Sequence, residues 1–377
     1  MLFKDKNVVL ISNTAWSIAN FRSSFIASLI AEGGCVTTVA PRDNYVRELI
    51  ALGATHIDFK MDAEGTNPFT DARLIFRLYR LIRESKPDVV INYTIKPVIY
   101  GAIAARFANC PVISVVPGLG VSFARSGILY SLVSLLYRVS QTKVKKVFLL
   151  NDEDENFFRS HELAPDSVIT SIPGEGIDTE FFSPINRKPK GVRPVRFILT
   201  GRMLRAKGVE IFVSATRILR EEGWNIECAL LGFVDVENPS AIDWATIENW
   251  VNEGIVQFLG STKDVRPHLA EADVVVLPSF YKEGLSRSLL EAAAMAKPII
   301  TSTVNGCRQV VNDNVNGFLC LPNNVESLVG CMRNMLLLSP EKREEMGQNG
   351  RRLVIDKYRD ALVVSAYHRE LTEIFNH

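Results

Sequence analysis

The feature that most constrains this chain is a rhythm. Short apolar runs closed by turn residues alternate with longer helical patterns, and the alternation is played twice. Residues 8–11, 35–40, 89–92, 112–116 and 147–150 read as buried strands, with helical stretches such as 21–31 and 72–84 between them. After residue 195 the sequence starts over with strands at 196–200, 227–231, 256–259, 274–277 and 299–301. Near-continuous apolar strands that alternate with helices imply βαβ units and a parallel sheet covered on both faces. Two such series predict two doubly wound α/β domains. A chain of 377 residues is also long for one hydrophobic core. Between the series lies S-P-I-N-R-K-P-K-G-V-R-P (183–194), whose three prolines in a basic, polar stretch predict a stiff hydrated connection. The halves share rhythm but no sequence repeat.

Charge excludes one broad class. Lys plus Arg number 43 against 42 Asp plus Glu, so no global field favours nucleic acid, and anion binding must come from local clusters. The six cysteines are scattered without a C-x-x-C pair, as expected for reduced core thiols. The first residues lead straight into a strand pattern without the order of a signal peptide, and no run of 18 apolar residues occurs. A cytoplasmic protein is expected.

Ligands of open parallel sheets bind beyond the carboxyl ends of the strands, so the chemistry belongs in the loops that follow them. G-R-M-L-R-A-K-G (201–208) follows a strand directly. Gly201 permits a sharp turn, and Arg202 and Lys207 can converge on one dianion, a planar fork beside a point charge. The plainer alternative is a basic loop in solvent. P-S-F-Y-K-E-G-L-S-R-S-L-L-E-A (278–292) runs from a strand through a loop into a helix, with Ser286 at the N-cap position. The N–H groups that open such a helix form an anion site. Glu291 lies more than a turn inside, in apolar company, and a carboxylate there needs a partner. Ribose hydroxyls are one choice and Arg287, at i,i+4, is the other. Asn305-Gly306 and Asn316-Gly317 add turns after later strands, consistent with a loop closing on a ligand or with plain turn chemistry.

Taken together, residues 196–322 resemble the donor domain of the retaining glycosyltransferases of family 4, whose two Rossmann-like domains facing a central cleft form the GT-B fold. The matching stretches are G-R-M-L-R-A-K-G (201–208), A-L-L-G-F (229–233), V-Q-F-L-G-S-T-K-D-V (256–265), A-D-V-V-V-L-P-S (272–279), K-E-G-L-S-R-S-L-L-E-A-A-A (282–294) and N-G-C-R-Q-V-V (305–311). E-G-I-D-T-E-F-F-S-P (175–184) resembles the family's interdomain segment, and 361–375 its returning C-terminal helix. The implied domains are 1–185 for the acceptor, with 360–377 packed back on it, and 186–359 for the donor.

The resemblance implies that Arg202 and Lys207 bind the donor diphosphate and stabilise its departure, and that Glu283 orients the transferred sugar. Glu291 accepts the ribose hydroxyls, Gly201, Gly284, Leu285 and Ser286 contribute backbone, and Gly232, Phe233, Gly260, Ser261 and Thr262 border the base. It further implies a nucleotide diphosphate sugar, by family tendency a UDP-sugar, transfer with retention, and no metal or other cofactor.

In the first half, N-Y-T-I-K-P-V-I-Y-G (92–101) and P-G-L-G-V-S-F (117–123) resemble members that extend polyprenyl-diphosphate-linked saccharides in bacterial glycan synthesis. Asn13, the Asn20-Phe21-Arg22 turn, Thr94, Lys96, Gly118 and Gly120 are the expected acceptor residues, with Arg22 and Lys96 on its phosphate. None of the five histidines falls in a motif, although many members place one near the donor sugar. A lipid-linked acceptor would hold the enzyme on the inner face of the cytoplasmic membrane. In 72–84, Arg73, Arg77 and Arg80 fall within about 60° of one another and face away from Leu74, Leu78, Leu81 and Ile82. The largely apolar stretch 128–139 is flanked by Arg125, Arg138, Lys143, Lys145 and Lys146. Each reads as a basic amphipathic membrane helix or as a core helix with a solvated basic face.

Three rivals make other demands. Asp152-Glu153-Asp154 has the form of a metal-binding D-x-D, but Asn151 can N-cap a helix whose first turn those acids suit. A dinucleotide oxidoreductase requires G-x-G-x-x-G after the first strand, where S-N-T-A-W (12–16) stands. A GT-B epimerase acting on a nucleotide sugar and a non-catalytic carbohydrate-binding module complete the alternatives.

Overall fold

The computed structural model describes residues 1–61, 67–118, 127–185, 193–234, 238, 240–281 and 284–376. It divides into two compact units, Met1–Gly176 with Asp360–His377, and Ile177–Arg359.

The first unit is a seven-stranded parallel sheet: β1 (Asn7–Ile11), β2 (Cys35–Ala40), β3 (Thr55–Asp58), β4 (Val89–Tyr93), β5 (Val112–Val116), β6 (Lys146–Leu149) and β7 (Ile169–Ser171), in the order β3-β2-β1-β4-β5-β6-β7. Helices α1 (Ala15–Ala31) and α2 (Val46–Ala51) cover one face, and α3 (Pro68–Ser85), α4 (Ala102–Ala108), α5 (Ile128–Ser140) and α6 (Asp152–Ser160) the other. Successive residues of β1 serve the two cores in turn, Val8 and Leu10 on one side, Val9 and Ile11 on the other. That two-sided burial is why the strand sequences lack polar alternation. Only β3 and β7, at the sheet's edges, escaped the sequence reading. In β3, Thr-His-Ile-Asp is no more than half-buried and so carries no apolar run.

Local chemistry sets the helix starts. Thr14 accepts the Ser17 N–H at 3.2 Å and opens α1 six residues before the sequence pattern did, so Asn20, Phe21 and Arg22 stand inside a helix and form no turn. Asn151 accepts the Asp154 N–H at 2.8 Å and places four acids in the first turn of α6, the capping role read from the sequence.

The second unit has six parallel strands, β8 (Val195–Thr200), β9 (Ile226–Leu231), β10 (Gln257–Phe258), β11 (Val274–Leu277), β12 (Ile299–Ser302) and β13 (Gly317–Cys320), ordered β10-β9-β8-β11-β12-β13. Helices α7 (Val209–Glu221), α8 (Trp244–Asn252) and α11 (Val325–Leu337) pack on one face, and α9 (Arg266–Glu271), α10 (Arg287–Ala294) and α12 (Pro340–Lys357) on the other. The last helix, α13 (Asp360–Asn376), belongs to the first unit, where Tyr367 stacks on Phe25 with centroids 4.4 Å apart.

The chain passes between units at Gly176–Ile177, nine residues before the expected boundary at 185. The residues in between pack with the second unit. Ile177 donates its N–H to Tyr358 O at 2.9 Å, Phe182 is buried in the α10 core, and Arg351 donates to the Phe182 and Thr179 carbonyls at 2.9 and 3.1 Å. The prolines at 184–194 therefore follow the crossing and do not make it. Cys228 and Cys320 are free, buried thiols that burial pushes up to about 12, inert packing groups.

Candidate active site

In the second unit the strand order reverses between β8 and β11. At such a switch the helices leave to opposite faces, and open parallel sheets bind their ligands beyond the strand ends there. The loop after β8 is fixed there from both sides. Gly201 N–H donates to Leu231 O at 2.9 Å, Met203 N–H to Phe233 O at 2.9 Å, and Gly232 N–H to Gly260 O at 2.8 Å. On the other side, the Phe280 N–H and the Ser279 hydroxyl both donate to Ala206 O, each at 3.0 Å. Gly208 takes φ +76°, and a Cβ there would lie 2.2 Å from the Pro278 carbonyl oxygen. The two loops touch backbone to backbone, which is why this position is glycine.

These bonds bring Gly201, Arg202, Lys207, Gly232, Phe233, Gly260 and residues 279–281 and 284–286 to one end of the sheet. Phe233 is half exposed, offering an apolar face. Ser261 is exposed, while Thr262 is occupied in its own turn, accepting the Asp264 N–H at 3.1 Å. Gly284 and Leu285 precede Ser286, whose backbone has N-cap geometry. The Ser286 hydroxyl caps no backbone N–H; it lies 3.3 Å from the Ser288 hydroxyl. Among the described residues the N-cap side chain thus leaves the first turn of α10 uncapped, and its N–H groups suit an anion. Glu291 sits one turn further on, its side chain 17% exposed, accepting from Arg287 Nε at 3.1 Å. Burial holds its carboxyl above the ordinary glutamate value, and Arg287 opposes that rise. Both partners weighed from the sequence therefore remain: the Arg287 pair exists, and the carboxylate is still costly to keep charged. Glu283 lies outside the described residues.

The first unit has a switch of its own between β1 and β4. A cavity of about 310 Å³ opens there, lined by Asn13, Trp16, Arg22, Tyr93, Thr94 and Glu175 among others. Thr94 holds φ +66°, an uncommon and strained state for a β-branched residue, and the Asn13 N–H donates to its hydroxyl at 3.3 Å. Arg22 is buried, paired with Glu175 and stacked 4.4 Å over the Tyr93 ring. Burial raises the Tyr93 hydroxyl, against the pull of Arg22.

Of the expected acceptor residues, the cavity gathers Asn13, Arg22 and Thr94. Asn20 lies on the exposed side of α1, its amide donating to Trp16 O at 2.9 Å. Lys96 turns to Asp71, 3.8 Å away, a carboxylate that also accepts from Tyr100 Oη at 2.7 Å. The charges of Arg22 and Lys96 are thus both balanced by carboxylates. Gly118 is half-buried beside Pro117, and Gly120 lies outside the described residues. Glu175 and Trp16 were missed in the sequence. Glu175 stands more than 150 positions from Arg22, in a G-E-G turn that carries no signal of a buried ion pair.

Residues 7–150 match the family described as glycosyl transferase 4-like, and residues 194–337 that described as glycosyl transferases group 1. The chain is 28% identical over 348 residues to the N,N'-diacetylbacillosaminyl-diphospho-undecaprenol alpha-1,3-N-acetylgalactosaminyltransferase of Campylobacter jejuni, covering 88% of this chain and 89% of that one. To the UDP-Gal:alpha-D-GlcNAc-diphosphoundecaprenol alpha-1,3-galactosyltransferase of Escherichia coli it is 27% identical over 70% of each chain. A glycosyltransferase from Rickettsia africae superposes with a TM-score of 0.80 at 18% identity over 99% of both chains. Anabaena Alr3699/HepE in complex with UDP superposes with 0.78 at 16% identity, over 98% of this chain and 100% of that one.

Two doubly wound parallel sheets of these strand orders, in chains of this length, define the GT-B class of protein. Within it, the chain belongs to the group 1 and 4-like glycosyltransferases.

Proposed function

We propose that the chain transfers a hexose or N-acetylhexosamine from a UDP-sugar to a saccharide carried on a polyprenyl diphosphate, with retention of anomeric configuration and without a metal. The observation that carries this reading is the strand-order switch of the second unit, where a basic glycine-hinged loop and a helix start that Ser286 leaves uncapped lie at the same end of the sheet. Arg202 and Lys207 take the diphosphate, and the N–H groups opening α10 take its second face. Their charge rises in value as the leaving group becomes more anionic, so they favour the transition state over the ground state. Glu291 receives ribose hydroxyls, Phe233 borders the base, and Glu283 orients the sugar. The sugar carbon's bond to the diphosphate breaks as the acceptor oxygen attacks the same face, and the departing phosphate oxygen takes the acceptor's proton.

The acceptor is held by the first unit in the cavity of Asn13, Trp16 and Thr94. The two relatives that act on undecaprenyl diphosphate saccharides support this class of acceptor. Such an acceptor resides in a bilayer, so the chain works as a peripheral protein on its cytoplasmic face. Among the described residues no helix is long and apolar enough to cross a membrane.

The test is a panel of nucleotide sugars offered with a lipid-diphosphate saccharide in chelator, with the product's anomeric configuration read by NMR. Retained transfer from one UDP-sugar is expected. Binding without turnover of any donor would favour the carbohydrate-binding reading, and interconversion of the donor sugar alone would favour the epimerase.

A further inference from the structure

The covering layer of α3, α4 and α5 carries an outward face that neither the fold nor the candidate sites use. Along α3, Phe69, Arg73, Phe76, Arg80 and Arg83 recur at four- and three-residue steps and fall on one line of the helix. That line is opposite the buried Leu74, Leu78 and Ile82. Phe69 is 88% exposed and Phe76 59%. Arg77, at the flank, is spent on the protein, stacked over Phe59 and donating to Lys60 O.

The neighbouring helices continue the pattern. Phe107 at the end of α4 is 71% exposed beside exposed Arg106, whose guanidinium donates to Thr142 Oγ1 at 3.3 Å and ties α4 to the turn after α5. On α5, Leu132, Leu135 and Val139 face solvent next to Arg138, while Val133 and Tyr137 fill the core beneath. Large exposed apolar side chains thus stand beside arginines on three helices of the same covering layer. Only Glu84, paired with Arg80, is an exposed acid on α3 beside it. At the far side of the layer α6 opens with four acids, which bounds the surface there.

We infer that this face docks on an anionic lipid bilayer. Arginines at that spacing complement anionic headgroups, and phenylalanines between them reach the acyl boundary while the helix lies parallel to the membrane. A protein partner would have no need of uniform positive charge around each apolar tip. The inference names the surface that a lipid-borne acceptor calls for and in that respect rests on the function proposed above; vesicle binding itself requires no acceptor.

The experiment is flotation of the full chain with phosphatidylcholine vesicles, with and without phosphatidylglycerol. Binding is expected only with phosphatidylglycerol, and it should fall as salt rises. Arg73→Gln with Arg80→Gln should lower the partition on the order of tenfold or more, at about 1 kcal/mol per arginine near the surface. Phe69→Ser with Phe76→Ser should weaken it further at high salt, where charge is screened. Both pairs should leave transfer to a water-soluble acceptor analogue unchanged, which shows the fold intact. Equal binding by wild type and both pairs would overturn the inference, as would wild type that ignores anionic vesicles. A lipid-free dimer that the substitutions dissociate would also overturn it, assigning the face to a second copy of the chain. Vesicle binding retained without transfer to any lipid-linked saccharide would instead count against the proposed acceptor alone.

Discussion

Glu291→Gln separates the two roles that one carboxylate can have. The side chain accepts from Arg287 Nε at 3.1 Å, and Gln can keep that bond through its own Oε1. If Glu291 serves only its helix, the variant should therefore change little. If it serves ribose hydroxyls, the charge itself matters. Hydrogen bonds to an ionised group are worth about 1.5–3 kcal/mol and roughly twice their neutral counterparts. Replacing the carboxylate by an amide should then cost about 1–2 kcal/mol, roughly a 5–30-fold loss in nucleotide affinity. Stability should move the other way. Burial raises the folded-state pKa of Glu291 above its unfolded value, against Arg287. Such a group helps folding fully below the unfolded pKa, and that help is lost as pH rises through the folded pKa. At neutral pH the ionised side chain is thus a net cost, which the amide removes. Calorimetric titration with UDP and urea melts of the ligand-free protein from acid to neutral pH give both numbers. Weaker UDP binding is expected, together with a stability difference that shifts in favour of the Gln variant as pH rises. Unchanged affinity would refute the ribose role and leave Glu291 as the helix partner of Arg287.

The remaining predictions probe the frame and the ligand loops. Gly208→Ala should destabilise by several kcal/mol, about 2–4 from backbone overlap with Pro278 and the strained φ, whereas Gly254→Ala, at φ +72° but with open space, should cost only about 1 kcal/mol; thermal melts compare them. Arg202→Ala and Lys207→Ala should each lower kcat/KM by about tenfold or more with stability nearly unchanged, read from initial rates beside melts. Arg22→Met should cost about 3–5 kcal/mol by stranding the Glu175 carboxylate, and Arg22→Met with Glu175→Leu should recover most of it; equal losses in single and double variants would mean the pair is not the reason.

The division between what could and could not be read from the sequence follows from the range of each interaction. Buried parallel strands announce themselves because both faces need apolar residues, so β11 emerged with its bounds intact and β12 within a residue. A strand at a sheet edge loses one face to water and with it the signal, as Thr-His-Ile-Asp in β3 illustrates. The loops after β8 and β11 were legible because glycine is demanded at close backbone approaches: Gly208 against Pro278 leaves a mark in one dimension that a contact in three dimensions explains. The first unit's cavity left no such mark. Its ion pair joins Arg22 of α1 to Glu175 near the crossing between units, and charge partners at that separation have no spacing to recognise. The same holds for Lys96, which its motif assigned to a phosphate and the fold gives to Asp71. A cation read from a loop is a charge without an address, and its address is set by whichever carboxylate the fold brings nearest. An acceptor phosphate in this cavity must therefore either displace Glu175 from Arg22 or be held by the neutral donors of Asn13, Trp16 and Thr94. The Glu175→Gln variant decides between them. Freed of its counter-charge, Arg22 should bind a diphosphate acceptor more tightly in the first case and leave its KM unchanged in the second.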